Sequence, residues 1–396
     1  MPAEIRPEAE LLIQICAFVC TAQVDRRTDE LLSGQLDWSY IVKTSKHNGV
    51  VPMVSRWIGL TSPKQVPAAI KREITFAASA NALHNAHLSG ELVKIVGWFS
   101  KNEIDAIAVK GPVLAALAFG DVSMRTFTDI DLLVHSSDLT RAVEILVSGG
   151  YASTTTSGRG SARPDIFSAF PTSFEARRGA ADVDVHWQVG PSRIRFFPDE
   201  DSLWARSVWI DFQGTRLRSF SFEDHVIYLC AHAAKHGWAA LRMVCDLAGL
   251  IERNRVINWD WITAEARRLH GLKMLLLGAY LSRLLMRIEI PESIVQLARA
   301  DSEVEALAVQ IVRDMFLAPE QKPEPADPET IALRVMDRRS DRLRYWLYRS
   351  ITPTMGDWTF LPLPRLLYPT YFLIRPLRLA LLPVRKLLAA RASTKA

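Results

Sequence analysis

The residues best suited to chemistry stand in two short acidic runs. Asp129-Ile130-Asp131 leads into Leu132-Leu133-Val134, and Asp182-Val183-Asp184-Val185-His186-Trp187 follows further along. In an extended strand, residues i and i+2 share a face, so Asp129 and Asp131 project together with Ile130 opposite. On the second run Asp182, Asp184 and His186 share one face, and Val183, Val185 and Trp187 the other. Two carboxylates side by side repel, and the apolar residues beside them deprive them of screening water. A hard divalent cation resolves that conflict. Mg2+ (or Mn2+) takes one or two protein carboxylates and fills the rest of its shell with water and substrate phosphates. If the two runs lie side by side, Asp129, Asp131 and Asp184 converge. Two metal ions about 4 Å apart then clamp the attacking and leaving oxygens of an in-line phosphoryl displacement.

Several elements must position these groups. Ile104–Val109 reads as a short strand ending in Lys110-Gly111-Pro112, and Pro112 suits the first turn of a helix over Val113–Phe119. Thr126–His135 reads as the strand of the first acidic pair. Ser136 or Ser137 is placed to cap a helix through Leu146, which Gly149-Gly150 ends. Phe167–Arg177 and Ala181–Val189 read as further strands, and Arg206–Ile210 with Thr215–Phe220 as a hairpin. Residues 1–100 and 221–317 show helical periodicity, with Ser221 and Asp224 as a capping pair. Prolines 319, 323, 325 and 328 mark 318–329 as a linker before a basic aromatic tail, 330–396. The organisation is an N-terminal helical region (1–100), an α/β core (101–220), a C-terminal helical domain (221–317), the linker and the tail.

The ordered motifs resemble a known family. Val109-Lys110-Gly111-Pro112, Gly120-Asp121, Arg125, Asp129-Ile130-Asp131-Leu132-Leu133-Val134 and Val183-Asp184-Val185-His186-Trp187 together resemble a bacterial family of uncharacterised nucleotidyltransferases. That family sits in the polymerase-β-type superfamily, near toxin-type transferases of abortive-infection systems. His47-Asn48-Gly49-Val50, His232 with His236-Gly237-Trp238, Asp246, Thr352-Pro353 with Asp357-Trp358, and Leu373-Ile374-Arg375-Pro376 are similar too, so the likeness spans most of the chain. It implies an α+β fold, a mixed sheet flanked by N- and C-terminal helical segments. It also implies a metal-dependent transfer of NMP from an NTP to an acceptor hydroxyl with release of pyrophosphate. Asp129 and Asp131 would hold metal, and Asp184 would complete the site and help deprotonate the acceptor. The Lys110-Gly111 turn would approach the triphosphate; it stands where the wider superfamily has Gly-Ser or Gly-Gly. The acceptor would be a small molecule, a peptide natural product or an envelope precursor, since such proteins often accompany biosynthetic clusters. Two other functions remain open: a toxin-like transferase acting on tRNA or protein, and a non-catalytic nucleotide- or peptide-binding accessory protein.

Each flanking residue has a plainer reading beside its functional one. Arg125 either binds phosphate or pairs with the Asp129/Asp131 strand. His186 either touches the site or hydrogen-bonds a neighbour. Asp182, close after Arg177-Arg178-Gly179, reads as a solvated strand residue rather than a ligand. His232 and His236 share a helix face at zinc-ligand spacing with no third ligand evident, which leaves nucleotide contact or packing. Lys235 and Arg242 lie on the same helices, within reach of phosphates, and Asp246 reads as a brace or a partner for a basic residue.

Composition narrows the function classes. With 49% hydrophobic and 23% charged residues among 396, the chain is an ordinary globular protein and not a disordered one. GxxxxGK[ST], GxGxxG, HExxH and GxSxG are all missing. Four cysteines without CxxC argue against a zinc or disulfide framework. The opening Met1-Pro2-Ala3-Glu4 lacks signal-peptide character, so a cytoplasmic location is the expectation. Leu11–Val24 is too short and too interrupted for a span and reads as a core helix. The net charge of +5 is uneven. Residues 338–396 hold 12 Lys/Arg and two Asp/Glu, so the rest of the chain is slightly acidic. That tail is expected to dock on the protein body or to contact an anionic membrane or partner, with nucleic acid the least favoured.

Overall fold

The computed structural model describes residues 5–153, 173–190, 194, 196–254, 256–317 and 329–380. Five helices come first: α1 (Pro7–Thr21), α2 (Arg26–Ser33), α3 (Trp38–His47), α4 (Val51–Thr61) and the long α5 (Ala68–Lys101). The apolar run from Leu11 is the buried face of α1. The α/β unit follows, with β1 (Ala106–Ala108), α6 (Gly111–Phe119), β2 (Asp129–Val134), α7 (Leu139–Ser148), β3 (Ala152–Ser153), β4 (Ser173–Arg178), β5 (Ala181–His186), α8 (Glu200–Arg206), β6 (Val208–Phe212) and β7 (Thr215–Ser219). Then come α9 (Phe222–Lys235), α10 (Leu241–Arg253), α11 (Trp259–Arg268), α12 (Leu272–Met286), α13 (Glu292–Ala300) and α14 (Ser302–Phe316). After 318–328, outside the described residues, come α15 (Glu329–Arg334), α16 (Arg339–Ile351) and α17 (Met355–Phe360).

The strands form one mixed sheet in the order β3-β4-β5-β2-β1-β7-β6, so the fold is α+β with a mixed sheet among helices. Strand β2 lies inside it, antiparallel to β1 and parallel to β5. Period-two alternation gives the sheet two different faces. Ile130, Leu132, Val134, Val183 and Val185 pack with Leu88, Leu92, Ile95 and Phe99 of α5 and with Ala142 and Leu146 of α7. The other face carries the acidic residues, and its apolar members Ile107 and Leu133 join the core built from α9, α10 and α12. The site is therefore enclosed between the sheet and the C-terminal helices.

Local chemistry explains the joints. Ser221 caps α9 by accepting from the Asp224 amide at 3.1 Å and donating to the Asp224 carboxylate at 2.6 Å. Asn81 and Asn85 of α5 donate to the carbonyls of Ser123, Val122 and Arg125, which fixes the loop entering β2. Helix α10 crosses close to α6 because residue 249 is glycine. A Cβ there would lie 2.8 Å from the Ala118 carbonyl oxygen. One expected cap is different: Ser136 and Ser137 lie in a 3-10 turn, and Asp138 precedes α7 without a side-chain cap bond. The turn uses the backbone at Asp138, which leaves the serine hydroxyls one position too early.

Of the expected strand Phe167–Arg177, only 173 onward lies within the described residues. The start of the tail is docked. Ala332, Val335, Met336 and Tyr345 belong to the central core. The Asp337 carboxylate accepts from the Leu272 and Lys273 amides and so caps α12 from outside.

Candidate active site

The parallel register of β2 and β5 sets Asp131 directly opposite Asp184 and Asp129 opposite Asp182. Asp131 is buried at 3% exposure, and Asp184 is half-buried. Two carboxylates at one level of a sheet are an electrostatic fault unless compensated. The compensation is visible. Lys110 Nζ lies 3.1 Å from Asp131 Oδ1, and His186 Nε2 reaches the same oxygen at 3.0 Å. The second oxygen, Asp131 Oδ2, is buried and has no hydrogen-bond partner among the described residues.

The titration behaviour follows from these neighbours. Burial acts to raise the Asp131 pKa, but Lys110 and His186 outweigh it and hold the carboxyl far below the usual range. Asp129 is pushed up by burial and by Asp131, against the pull of Lys110 and Arg125. Asp184 is pushed up to about 6 by burial and the charge of Asp131, with smaller contributions from Asp129 and Glu175. Lys110 remains charged despite burial because Tyr228, Asp131 and Asp129 surround it.

Among the described residues, one group of three or more His, Cys, Asp or Glu side chains could hold a metal ion: Asp131, Asp184 and His186. Their ligand atoms lie within 4.8 Å of one another. The set offers two hard oxygens and one imidazole nitrogen, and the unpartnered Oδ2 supplies an acceptor in need of a cation. The residues therefore fit a divalent ion; the two carboxylates suit Mg2+ or Mn2+, and a nitrogen ligand favours Mn2+ of the two. Asp129 shares the face but stands outside that group.

The Lys110-Gly111 turn is built for close backbone approach. Gly111 has φ +56, and a Cβ there would lie 2.9 Å from the Asp129 carbonyl oxygen. Lys110 immediately precedes α6, whose first amides follow the turn. Arg125 does not pair with the β2 carboxylates. Its Nε donates to both Asp246 oxygens, at 2.9 and 3.0 Å, in a buried link between the β2 entry loop and α10. Arg242, half-buried on α10, forms no salt bridge among the described residues, and its pKa is lowered by burial and by Arg125. Asp182 pairs with Arg177 across the β4–β5 hairpin.

On α9, His232 stacks on Tyr228 with centroids 5.8 Å apart and lies 4.5 Å from His236. Burial, Lys110 and His236 push His232 well down. Burial, Lys235 and Lys110 lower His236 to about 4. Both rings are therefore neutral near pH 7 and stand beside the Lys110 charge.

Two neighbours escape a reading of motifs alone. Glu175 stands opposite Asp184 on β4, and Tyr228 accepts a hydrogen bond from Lys110. The two-residue turn Gly179-Ala180 between Arg178 and Ala181 is the signal that would have placed Glu175.

Residues 34–287 match the family model for an uncharacterised nucleotidyltransferase. The chain belongs to that family. The match covers the α/β unit and α9–α12, so it includes every residue just described. No curated protein and no solved structure matches the chain. Family membership together with a possible Asp-Asp-His metal site supports a nucleotidyltransferase role that draws on a nucleoside triphosphate and a divalent metal.

Proposed function

We propose that the chain transfers NMP from an NTP to a hydroxyl of a small molecule, a peptide natural product or an envelope precursor. The acceptor oxygen forms a bond to the α-phosphorus as the bond to the β-phosphate oxygen breaks, and pyrophosphate leaves. The observation that carries this reading is the in-register pair Asp131 and Asp184 with an unpartnered buried oxygen on Asp131. In this reading Asp129, Asp131 and Asp184, with His186 beside them, hold Mg2+ or Mn2+, which supplies positive charge to triphosphate oxygens.

The protein's own groups do the rest. Asp184, with its pKa raised to about 6, is ionised at pH 7 yet basic enough to take the acceptor's proton. Gly111 lets the chain turn tightly so that the amides opening α6 face phosphate. Lys110 holds Asp131 and stands ready to contact a phosphate oxygen. Arg242, which forms no salt bridge among the described residues, is placed for the same role, while Arg125 holds the α10 side of the site through Asp246. His232, Lys235 and His236 form the wall on the α9 side. The reaction is assigned to the cytoplasm.

The test is incubation with labelled NTPs, Mg2+ or Mn2+, and extract of the source cells, comparing the natural chain with Asp131→Asn. Label should pass to an acceptor only with Asp131 intact. Equal transfer by both would overturn the proposal.

A further inference from the structure

We propose that residues 339–380 seat the protein on an anionic lipid surface. This does not depend on the nucleotidyl-transfer reading, since none of the residues involved lies in the site.

The first observation is a packing inversion. Asp357 is fully buried and binds the Arg375 guanidinium at 3.0 Å, with Arg378 Nε 2.9 Å from its other oxygen. It also accepts from the Thr354 amide at 2.7 Å. The Tyr371 ring is buried and its hydroxyl donates to the Leu361 carbonyl at 2.7 Å. The interior of this segment is thus polar. Its outside is apolar: Leu366 is 93% exposed, Leu373 71% and Leu377 65%. Water selects the opposite arrangement. Eleven of the 21 large apolar side chains exposed among the described residues lie between 343 and 377.

The second observation is periodicity. On α16, Leu343, Leu347 and Ile351 recur every four residues with Trp346 beside them, all exposed, while Tyr345 faces the core. That is an apolar helix face turned outward. The helical segment 371–380 repeats it, with Leu373 and Leu377 outward and Arg375 inward. Tryptophan and leucine over a cationic frame suit the boundary between headgroups and acyl chains.

Charge decides the occupant. Residues 338–396 carry only two acids, Asp341 and Asp357. Asp341 pairs with His270 at 3.1 Å, and Asp357 is held between two arginines. Both acids are turned inward, so the outer charge is positive, and residues 381–396 add four more basic residues and no acid. A second copy would bring like charge against like. A polynucleotide would satisfy the arginines and leave the leucines wet. An anionic membrane surface answers both features, since each basic residue near it strengthens binding about fivefold. No described helix is long and apolar enough to cross a membrane, so the contact lies in the interface plane.

The experiment is flotation of the full chain with vesicles of phosphatidylcholine alone or mixed with one-third phosphatidylglycerol. Binding to the mixed vesicles only, weakened by salt, is the expected result. Leu373→Asp with Leu377→Asp should reduce it by roughly tenfold or more. Arg339→Glu with Arg344→Glu, on exposed positions of another helix, should do so comparably. Asp131→Asn should bind vesicles normally, so a failed transfer assay leaves this result intact. Absence of vesicle binding, equal binding to both vesicle types, or indifference to both double variants would overturn the proposal. So would a dimer, seen by light scattering, that Leu373→Asp with Leu377→Asp dissolves while vesicles are ignored. Binding of RNA in place of vesicles would overturn it equally.

Discussion

Asp131 and Asp357 are both buried aspartates beside cations, and they do opposite things. Asp357 is surrounded by Arg375, Arg378 and the Thr354 amide. Its charge is more than balanced, and the result is a brace between α17 and the helical segment that follows. Asp131 has one lysine and one histidine on a single oxygen, with Asp129 and Asp184 on the same face; its Oδ2, like Oδ1 of Asp357, has no hydrogen-bond partner among the described residues, so the contrast lies in the charges around each acid. Three carboxylates share that face with one lysine, so the cluster as a whole is short of positive charge. A buried acid whose charge is balanced by its neighbours marks structure, and a group of acids that outnumbers its cations marks a place for a ligand.

Substitutions can break this contrast. The largest expected effect is on Asp131→Asn: nucleotidyl transfer should fall by roughly 10³-fold. The thermal midpoint should also fall, because Lys110 and His186 hold the Asp131 charge against burial and repulsion. Calorimetry beside the label-transfer assay checks both halves. A large loss of stability with transfer retained would make Asp131 a brace like Asp357.

Next comes Asp357→Ala, which strands two arginines. It should destabilise the segment 346–380 by about 3–5 kcal/mol. Hydrogen exchange there should accelerate while nucleotide turnover in solution persists.

The third prediction concerns pH in chelator-treated protein. The Asp184 pKa is raised, so the folded state binds more protons than the unfolded one between about 4 and 6, and stability should rise as pH falls through 6. His236 is lowered to about 4 and acts in the other direction, losing stability as pH falls from 6.5 towards 4. Melting curves should show Asp184→Asn steepening the acid loss and His236→Gln reducing it. The same two variants giving parallel curves would remove the electrostatic coupling from the account.

The smallest effect belongs to Asp182→Asn. Its partner Arg177 is exposed, so stability should move by less than about 0.5 kcal/mol and transfer by less than twofold. That near-silence, beside the loss expected for its strand neighbour Asp184, separates the two acids of one face.

Much of the site was legible because strand periodicity is simple. Alternation alone places Asp129 with Asp131 and Asp184 with His186, and the surrounding apolar runs identify the strands. The pairing of β2 with β5 could not be read that way. Register is a long-range property, and residues 154–172 between the strands carry no strong periodic signal. The Lys110-Gly111 turn was recognisable, yet the lysine's hold on Asp131 arises only when α6 and β2 meet. Arg125 offered two readings, phosphate or the β2 carboxylates, and its partner Asp246 lies on α10, far along the chain. Glu175 stayed hidden because its role depends on where the hairpin turns. In the tail, the prolines revealed that no single long helix forms, but not that the arginines would point inward.

The parallel pairing of β2 with β5 also bears on when the site comes into being. Asp131 and Asp184 meet only after the chain has come back beside β2 along β5 in one alignment. A slip of a single residue would send Asp184 into the valine layer against α5 and bring Val183 or Val185 to the acidic face. The group of Asp131, Asp184 and His186 thus forms only in a correctly threaded sheet. A chain halted during synthesis before residue 181 would display Asp129 and Asp131 with Lys110 already beside them. It would remain chemically silent until the last pairing closed.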